Sequence, residues 1–174
     1  FEARRDGMMR KGISDVDSVL TIRELARLIR LCGIDITNAG PEPADEPMEG
    51  RSSASAIAEL SGGFAEGIIR SAFYRLTNKE PERAIFRKLR GSGNFREASF
   101  TIGPAEMNVA VVDGLNGLEK LKSACDEGKR YDLVEVMTCP GGCVNGAGFS
   151  SAEKKDEKKN RAKMIWQADE ADSV

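Results

Sequence analysis

Residues 107–137 carry one continuous pattern, strand then helix then strand, and few folds accept it. Asn108-Val109-Ala110-Val111-Val112 has almost no polar face, the mark of a central strand covered on both sides. Asp113-Gly114-Leu115-Asn116-Gly117 turns the chain into a helix with Leu118, Leu121, Ala124 and Cys125 on one side, ended by Gly128. Asp132 to Met137, with Leu133, Val134, Val136 and Met137, then reads as a second buried strand. Strand, helix and strand over about thirty residues make a right-handed βαβ crossover. The expected class is therefore α/β, a mostly parallel sheet flanked by helices.

The second strand delivers the chain to Cys139-Pro140-Gly141-Gly142-Cys143. Ligands in open α/β sheets bind just beyond the carboxyl ends of strands, so two thiols here are placed to hold something. Pro140 suits the first position of a helical turn, and residues four apart in such a turn project from one side. Both sulfurs can then face one centre. Gly141 and Gly142 let backbone N–H groups approach anionic sulfur, and thiolates near a helix start are held in the ligating form. With no histidine in the chain, soft thiolates point to iron-sulfur or zinc.

Composition narrows the partners. A chain of 174 residues, 40% of them hydrophobic, can bury the core of one domain. A formal net charge of −2 gives no bulk attraction to nucleic acid or an anionic membrane. No apolar run reaches the roughly 18 residues of a membrane span. The opening residues have no apolar signal core. Four cysteines, two of them spaced like ligands, fit a reducing, cytoplasmic compartment better than a disulfide scaffold. Beginning on Phe1, the chain reads as a piece of something longer.

Upstream, Asp15 to Leu20 alternates like a strand, and Thr21 with Glu24 forms a capping box. Leu25, Leu28, Ile29 and Cys32 recur at helical spacing before Gly33, so Cys32 is expected in the core, as is Cys125. Residues 37–53, with Pro41, Pro43 and Pro47, form a loop. Ser61-Gly62-Gly63 opens a helix whose apolar face is Ala65, Ile68, Ile69, Ala72 and Leu76. Free N–H groups at such a start can cradle an anion or a cluster. Pro81 to Arg90 reads as a short basic helix, Gly91 to Asn94 as a turn, and Phe95 to Ile102 as a strand. Ser151 to Lys163 mixes charge signs like a solvated helix face, without the excess that nucleic acid requires. Trp166 is expected to anchor packing.

Glu135, Met137, Cys139, Pro140, Gly141, Gly142, Cys143, Gly146 and Gly148 resemble the last cluster-binding motif of the iron-only, or [FeFe], hydrogenases. That motif runs Glu-x-Met-x-Cys-Pro-Gly-Gly-Cys-x-x-Gly-Gly-Gly-Gln-Pro. Here Ala147 replaces a glycine and the Gln-Pro is missing. Asp15, Val16, Asp17, Val19, Leu20, Thr21, Arg23, Glu24, Leu25 and Ala26 resemble a second family stretch, and Ser61, Gly62, Gly63, Glu66 and Arg70 a third. In that third region Ala58 and Glu59 stand where many members have Phe-Gly.

The resemblance implies the C-terminal part of an iron-only hydrogenase catalytic domain over residues 1–174, interconverting protons and electrons with H2. The implied cofactor is a [4Fe-4S] cubane joined to a two-iron centre, together the H-cluster. Cys139 and Cys143 are then its metal ligands, with Met137, Gly141, Gly142, Ser61, Gly62 and Gly63 lining it. Glu2 matches the closing glutamate of an upstream motif, and the bland alternative for it is a solvated terminal carboxylate. Implied electron carriers are ferredoxin or a flavin- or NAD(P)-linked subunit. The family also includes non-catalytic iron-sulfur assembly proteins and hydrogen sensors.

Overall fold

The computed structural model describes residues 3, 5–43, 53–91, 93–145, 148 and 155–171. They fall into two compact units, one of residues 1–45 and 147–151, the other of residues 46–146 and 152–174. Glu2 lies outside the described residues, as does most of the Pro-rich stretch between residues 44 and 52.

The first unit begins with a hairpin, β1 (Met9–Arg10) and β2 (Ile13–Ser14), joined by Lys11 and Gly12 at φ 52° and 80°. Positive φ at both central residues is the signature of the tight turn that matches strand twist. Asp15 to Leu20, expected as a strand, pairs with nothing in the described structure. Helix α1 (Ile22–Leu31) opens with the expected capping box. Thr21 Oγ1 accepts from the Glu24 N–H at 3.3 Å, and Glu24 Oε2 accepts from the Thr21 N–H at 2.7 Å. It closes on Gly33, where the Ile34 N–H reaches Ile29 O and the Gly33 N–H reaches Arg30 O, both at 3.1 Å. Both ends were legible, but the buried stripe was not. No residue of α1 is buried, Leu25 and Leu28 are 43% and 46% exposed, and Cys32 is exposed rather than in a core. Among the described residues the unit offers α1 no second layer.

The second unit is a mixed α/β layer structure. Its sheet has the order β3 (Phe95–Ile102), β4 (Ala105–Asp113), β5 (Leu133–Met137). β4 and β5 are parallel, joined through α4 (Leu118–Asp126), as the strand-helix-strand pattern required. β3 and β4 are antiparallel, so the sheet is half parallel rather than mostly so. The reason is local: only Gly103 and Pro104 separate the paired Ile102 and Ala105, and two residues can make a hairpin but not a crossover. β4 is central, and Val109 to Val112 are fully buried.

Alternation splits that burial between two faces. Val109 and Val111 join Ala98, Phe100 and Ile102 against Ala65 and Ile69 of α3 (Gly63–Thr77), with Phe86 and Leu89 from the segment 83–89. Phe86 and Phe100 rings lie 5.4 Å apart. Each such side chain fully removed from water contributes roughly 1.5–3 kcal/mol, which makes this cluster the dominant stabilising element of the unit. Ala110 and Val112 point the other way, where α4 begins. Cys125 on α4 is exposed, and only Ala124 of that helix is buried. α3 likewise departs from its expected face. Ile68 and Leu76 are exposed, whereas Glu66 and Arg70 are buried beside Ala65 and Ile69. α2 (Ser53–Ile57) and α5 (Lys155–Ala171) complete the unit.

Candidate metal centre

β5 inverts the expected strand. Val134 and Val136 are 40% and 46% exposed, and the residue between them, Glu135, is 6% exposed. A buried carboxylate needs partners, and these come from the start of α3. Glu135 Oε1 accepts from the Gly62 N–H at 2.6 Å, and Oε2 from the Ala65 N–H at 2.7 Å. α3 has no capping side chain of its own, so Glu135 satisfies and charge-matches its N-terminus from 70 and 73 residues away.

This arrangement reassigns Ser61-Gly62-Gly63. The Gly62 N–H is used by Glu135 and the Gly63 N–H by Leu60 O at 2.9 Å. The Ser61 hydroxyl accepts from Arg96 at 2.8 Å. The backbone N–H groups of all three residues are thus already paired within the chain, that of Ser61 with Gly141 O at 3.4 Å. A Cβ on Gly63 would lie 1.7 Å from Ile57 O, so only glycine allows that approach. Arg96, buried, also donates to Gly91 O at 2.8 Å and faces Asp113 at 3.6 Å. Burial pushes its guanidinium below its ordinary value, against the pull of Asp113 and Glu135.

The cysteine segment hangs from this support. Cys139 O accepts from the Gly142 N–H at 3.0 Å, closing a four-residue turn with Pro140 and Gly141 inside it. Gly141 has φ 86° and Gly142 φ 78°, so this is a β-turn with glycine after proline, not the expected helical turn. Right-handed helix cannot continue through two left-handed residues. A short 3-10 turn, Cys143–Asn145, begins only at the second cysteine.

The segment is clasped on both sides. The Gly141 N–H donates to Asp113 Oδ1 at 2.5 Å, and the Cys143 N–H to Glu59 O at 2.7 Å. Leu60 and Gly142 form an antiparallel bridge, and a Cβ on Gly142 would come 2.2 Å from Glu59 O. Glu59, one of the two residues that depart from the family's Phe-Gly pair, thus contributes its backbone carbonyl. Any residue type can supply that bond.

Both thiols are free and exposed on a backbone that is held. Met137, half-buried, ends β5 two residues before Cys139, and its carbonyl accepts from the Gly114 N–H at 2.8 Å. Two soft, open sulfurs on a fixed turn fit two thiolate ligands of an iron-sulfur group. Among the described residues no group of three or more His, Cys, Asp or Glu could hold a metal ion. Sequence reasoning missed Glu135 as a support, together with Arg96 and Asp113. A lone carboxylate inside an apolar strand was the available signal, since such a group must meet donors.

Residues 1–147 match the family "Iron only hydrogenase large subunit, C-terminal domain". Iron hydrogenase 1 of Clostridium pasteurianum is 39% identical over 98% of this chain and 31% of its own length. Protein NAR1 of Arabidopsis thaliana is 34% identical over 78% of the chain and 30% of its own. In structure, an [FeFe]-hydrogenase variant from Chlamydomonas reinhardtii superimposes with a TM-score of 0.72 and 26% identity. That match covers 97% of this chain and 50% of the other. The chain thus spans about a third of the curated relatives and half of the structural one. No helix among the described residues is long and apolar enough to cross a membrane. From the match over residues 1–147 and the fold shared with these hydrogenases, the chain belongs to the family formed by the C-terminal domain of iron-only hydrogenase large subunits.

Proposed function

We propose that residues 1–174 form the later part of an iron-only hydrogenase catalytic domain, in a protein that reversibly oxidises H2 to protons and electrons. The observation that carries this is the pair of open thiols, Cys139 and Cys143, on a turn anchored through Asp113, Glu59 and the Glu135-capped start of α3. Cys139 would ligate a [4Fe-4S] cubane, and Cys143 the cubane and its junction with a two-iron centre. When bound, that H-cluster supplies the electron storage and the site at which dihydrogen is split or made.

The chain's own residues ligate, orient and shield. Gly141 and Gly142 keep side chains away from the sulfurs, and Met137 closes the strand end beside them. Ser61, Gly62 and Gly63 fix the junction on which the turn rests. Burial and hydrogen bonding around the sulfurs set the potential. Two thiols leave a four-thiolate site half-built, so the reading requires two more ligands from outside these residues. Glu2, matched to the closing glutamate of an upstream family motif, is the catalytic candidate among this chain's residues. The electron partner is a ferredoxin or a flavin- or NAD(P)-linked subunit, and the setting is the cytoplasm.

The similarity to NAR1 favours a second reading, a non-catalytic iron-sulfur assembly protein. Infrared spectroscopy of the matured full-length protein separates the two. Bands of iron-bound carbon monoxide and cyanide are expected for the hydrogenase. Iron-sulfur content without those bands, and no H2 from a reduced dye, would establish the assembly reading.

A further inference from the structure

Helix α5 carries a cluster of buried charge that the proposed chemistry does not use. Asp169, 1% exposed, accepts from Arg70 Nη1 at 2.7 Å and Nη2 at 2.6 Å, and from Arg90 Nη2 at 2.6 Å. Arg90 also grips Glu66 through Nε at 2.9 Å and Nη2 at 2.6 Å, and Arg70 bonds the same carboxylate. The Arg90 guanidinium stacks over the Trp166 ring at 4.5 Å, which fixes the helix face as well as its end. Two arginines from different segments therefore hold one carboxylate near the end of α5.

Eight residues earlier, about 12 Å along the helix, Arg161 Nε donates to Val144 O at 3.2 Å. Val144 is buried and directly follows Cys143. α5 also packs on the Cys143–Asn145 turn and on α2, the element that leads into Glu59. Glu59 O is the acceptor for the Cys143 N–H. One helix thus touches the turn that carries the second thiol and the short helix that ends two residues before its backbone acceptor. Buried ion clusters are an inefficient source of stability, because desolvation offsets their attraction; what a bidentate clamp does well is fix position.

We infer that α5 is a positioning element for Cys143: Arg161 holds the turn through the Val144 carbonyl, and the Arg70–Asp169–Arg90 clamp fixes the helix that carries Arg161. The inference deepens the ligand reading of Cys143 and rests on it for its purpose, not for its geometry. The test is residue-resolved amide exchange on the full-length protein in its metal-free form. One charge-assisted bond amounts to about tenfold in an opening equilibrium, so Arg161→Gln is expected to speed exchange at Cys143 about tenfold. The β4–β5 ladder amides should not change. Asp169→Asn should give the same selective change, and Arg161→Lys should restore much of the protection. Unchanged exchange at Cys143 in both Arg161→Gln and Asp169→Asn would overturn the inference, as would uniform acceleration through β4 and β5. Iron content is not part of this readout, so failure of the ligand reading would appear separately, as a wild-type protein that takes up no iron.

Discussion

Helices α1 and α3 reverse what their sequences promise. α1 has its own capping box, a regular apolar stripe and a glycine stop, yet none of its residues is buried. α3 starts on glycines with no capping side chain of its own and carries Glu66 and Arg70 among its apolar residues, yet it packs against the main core. The difference lies in where each finds its partners. α1 is completed by its chain neighbours Thr21, Glu24 and Gly33, whereas α3 is completed by Glu135 at its start and Asp169 along its length. Local signals decide whether a helix forms; distant residues decide whether it is buried.

Substitutions in the two helices should sharpen that contrast. The largest effect is expected at Gly63→Ala, where the new Cβ meets Ile57 O at 1.7 Å. Backbone must move, and urea unfolding should show a loss of more than about 4 kcal/mol. Next comes Glu135→Ala, which leaves the Gly62 and Ala65 N–H groups buried without acceptors. It should cost about 3 kcal/mol, and Glu135→Gln less, because one oxygen can still accept. Finally, Ile69→Ala in α3 should cost about 2–5 kcal/mol. Leu28→Ala in α1 should stay within about 0.5 kcal/mol, as for an exposed site. Equal losses at Ile69 and Leu28 would break the comparison.

Acid should act on both helices, on α1 through Glu24, whose carboxyl the Thr21 bonds hold below its usual value, and on α3 through Asp169. Burial opposes the charged form of Asp169, but the bonds from Arg70 and Arg90 prevail and hold its carboxyl below the usual value of 3.8. A depressed carboxylate stabilises the fold above 3.8, and that contribution fades as pH falls through the lower folded value. Exchange of α5 amides should therefore rise in strong acid, and Asp169→Asn should remove that part of the pH dependence.

The sequence was readable wherever neighbours in the chain decide the structure. The strand at Phe95–Ile102, the central β4, both ends of α1 and the parallel β4–β5 pair all follow from short-range pattern. Burial of Cys32 and Cys125 was misread because spacing shows that a stripe exists, not that anything covers it. The β5 valines were misread for the same reason, since apolar type alone does not say which face of an edge strand is covered. The two cysteines were visible as a ligand-like pair. Their turn was not, because Pro-Gly-Gly also fits a helix start, and only the φ values of Gly141 and Gly142 exclude one. The supports, Glu135, Arg96, Asp113 and Asp169, depend on contacts made across the fold.

The four cysteines allow the most direct test of the central claim that one fixed turn presents metal-binding thiols. In the full-length protein, iron content and the visible absorption of bound iron-sulfur should be compared for Cys139→Ser, Cys143→Ser, Cys32→Ser and Cys125→Ser. Loss of iron at Cys139 and Cys143 with full loading at Cys32 and Cys125 is the predicted result. Full loading in the Cys139 and Cys143 variants would contradict the account.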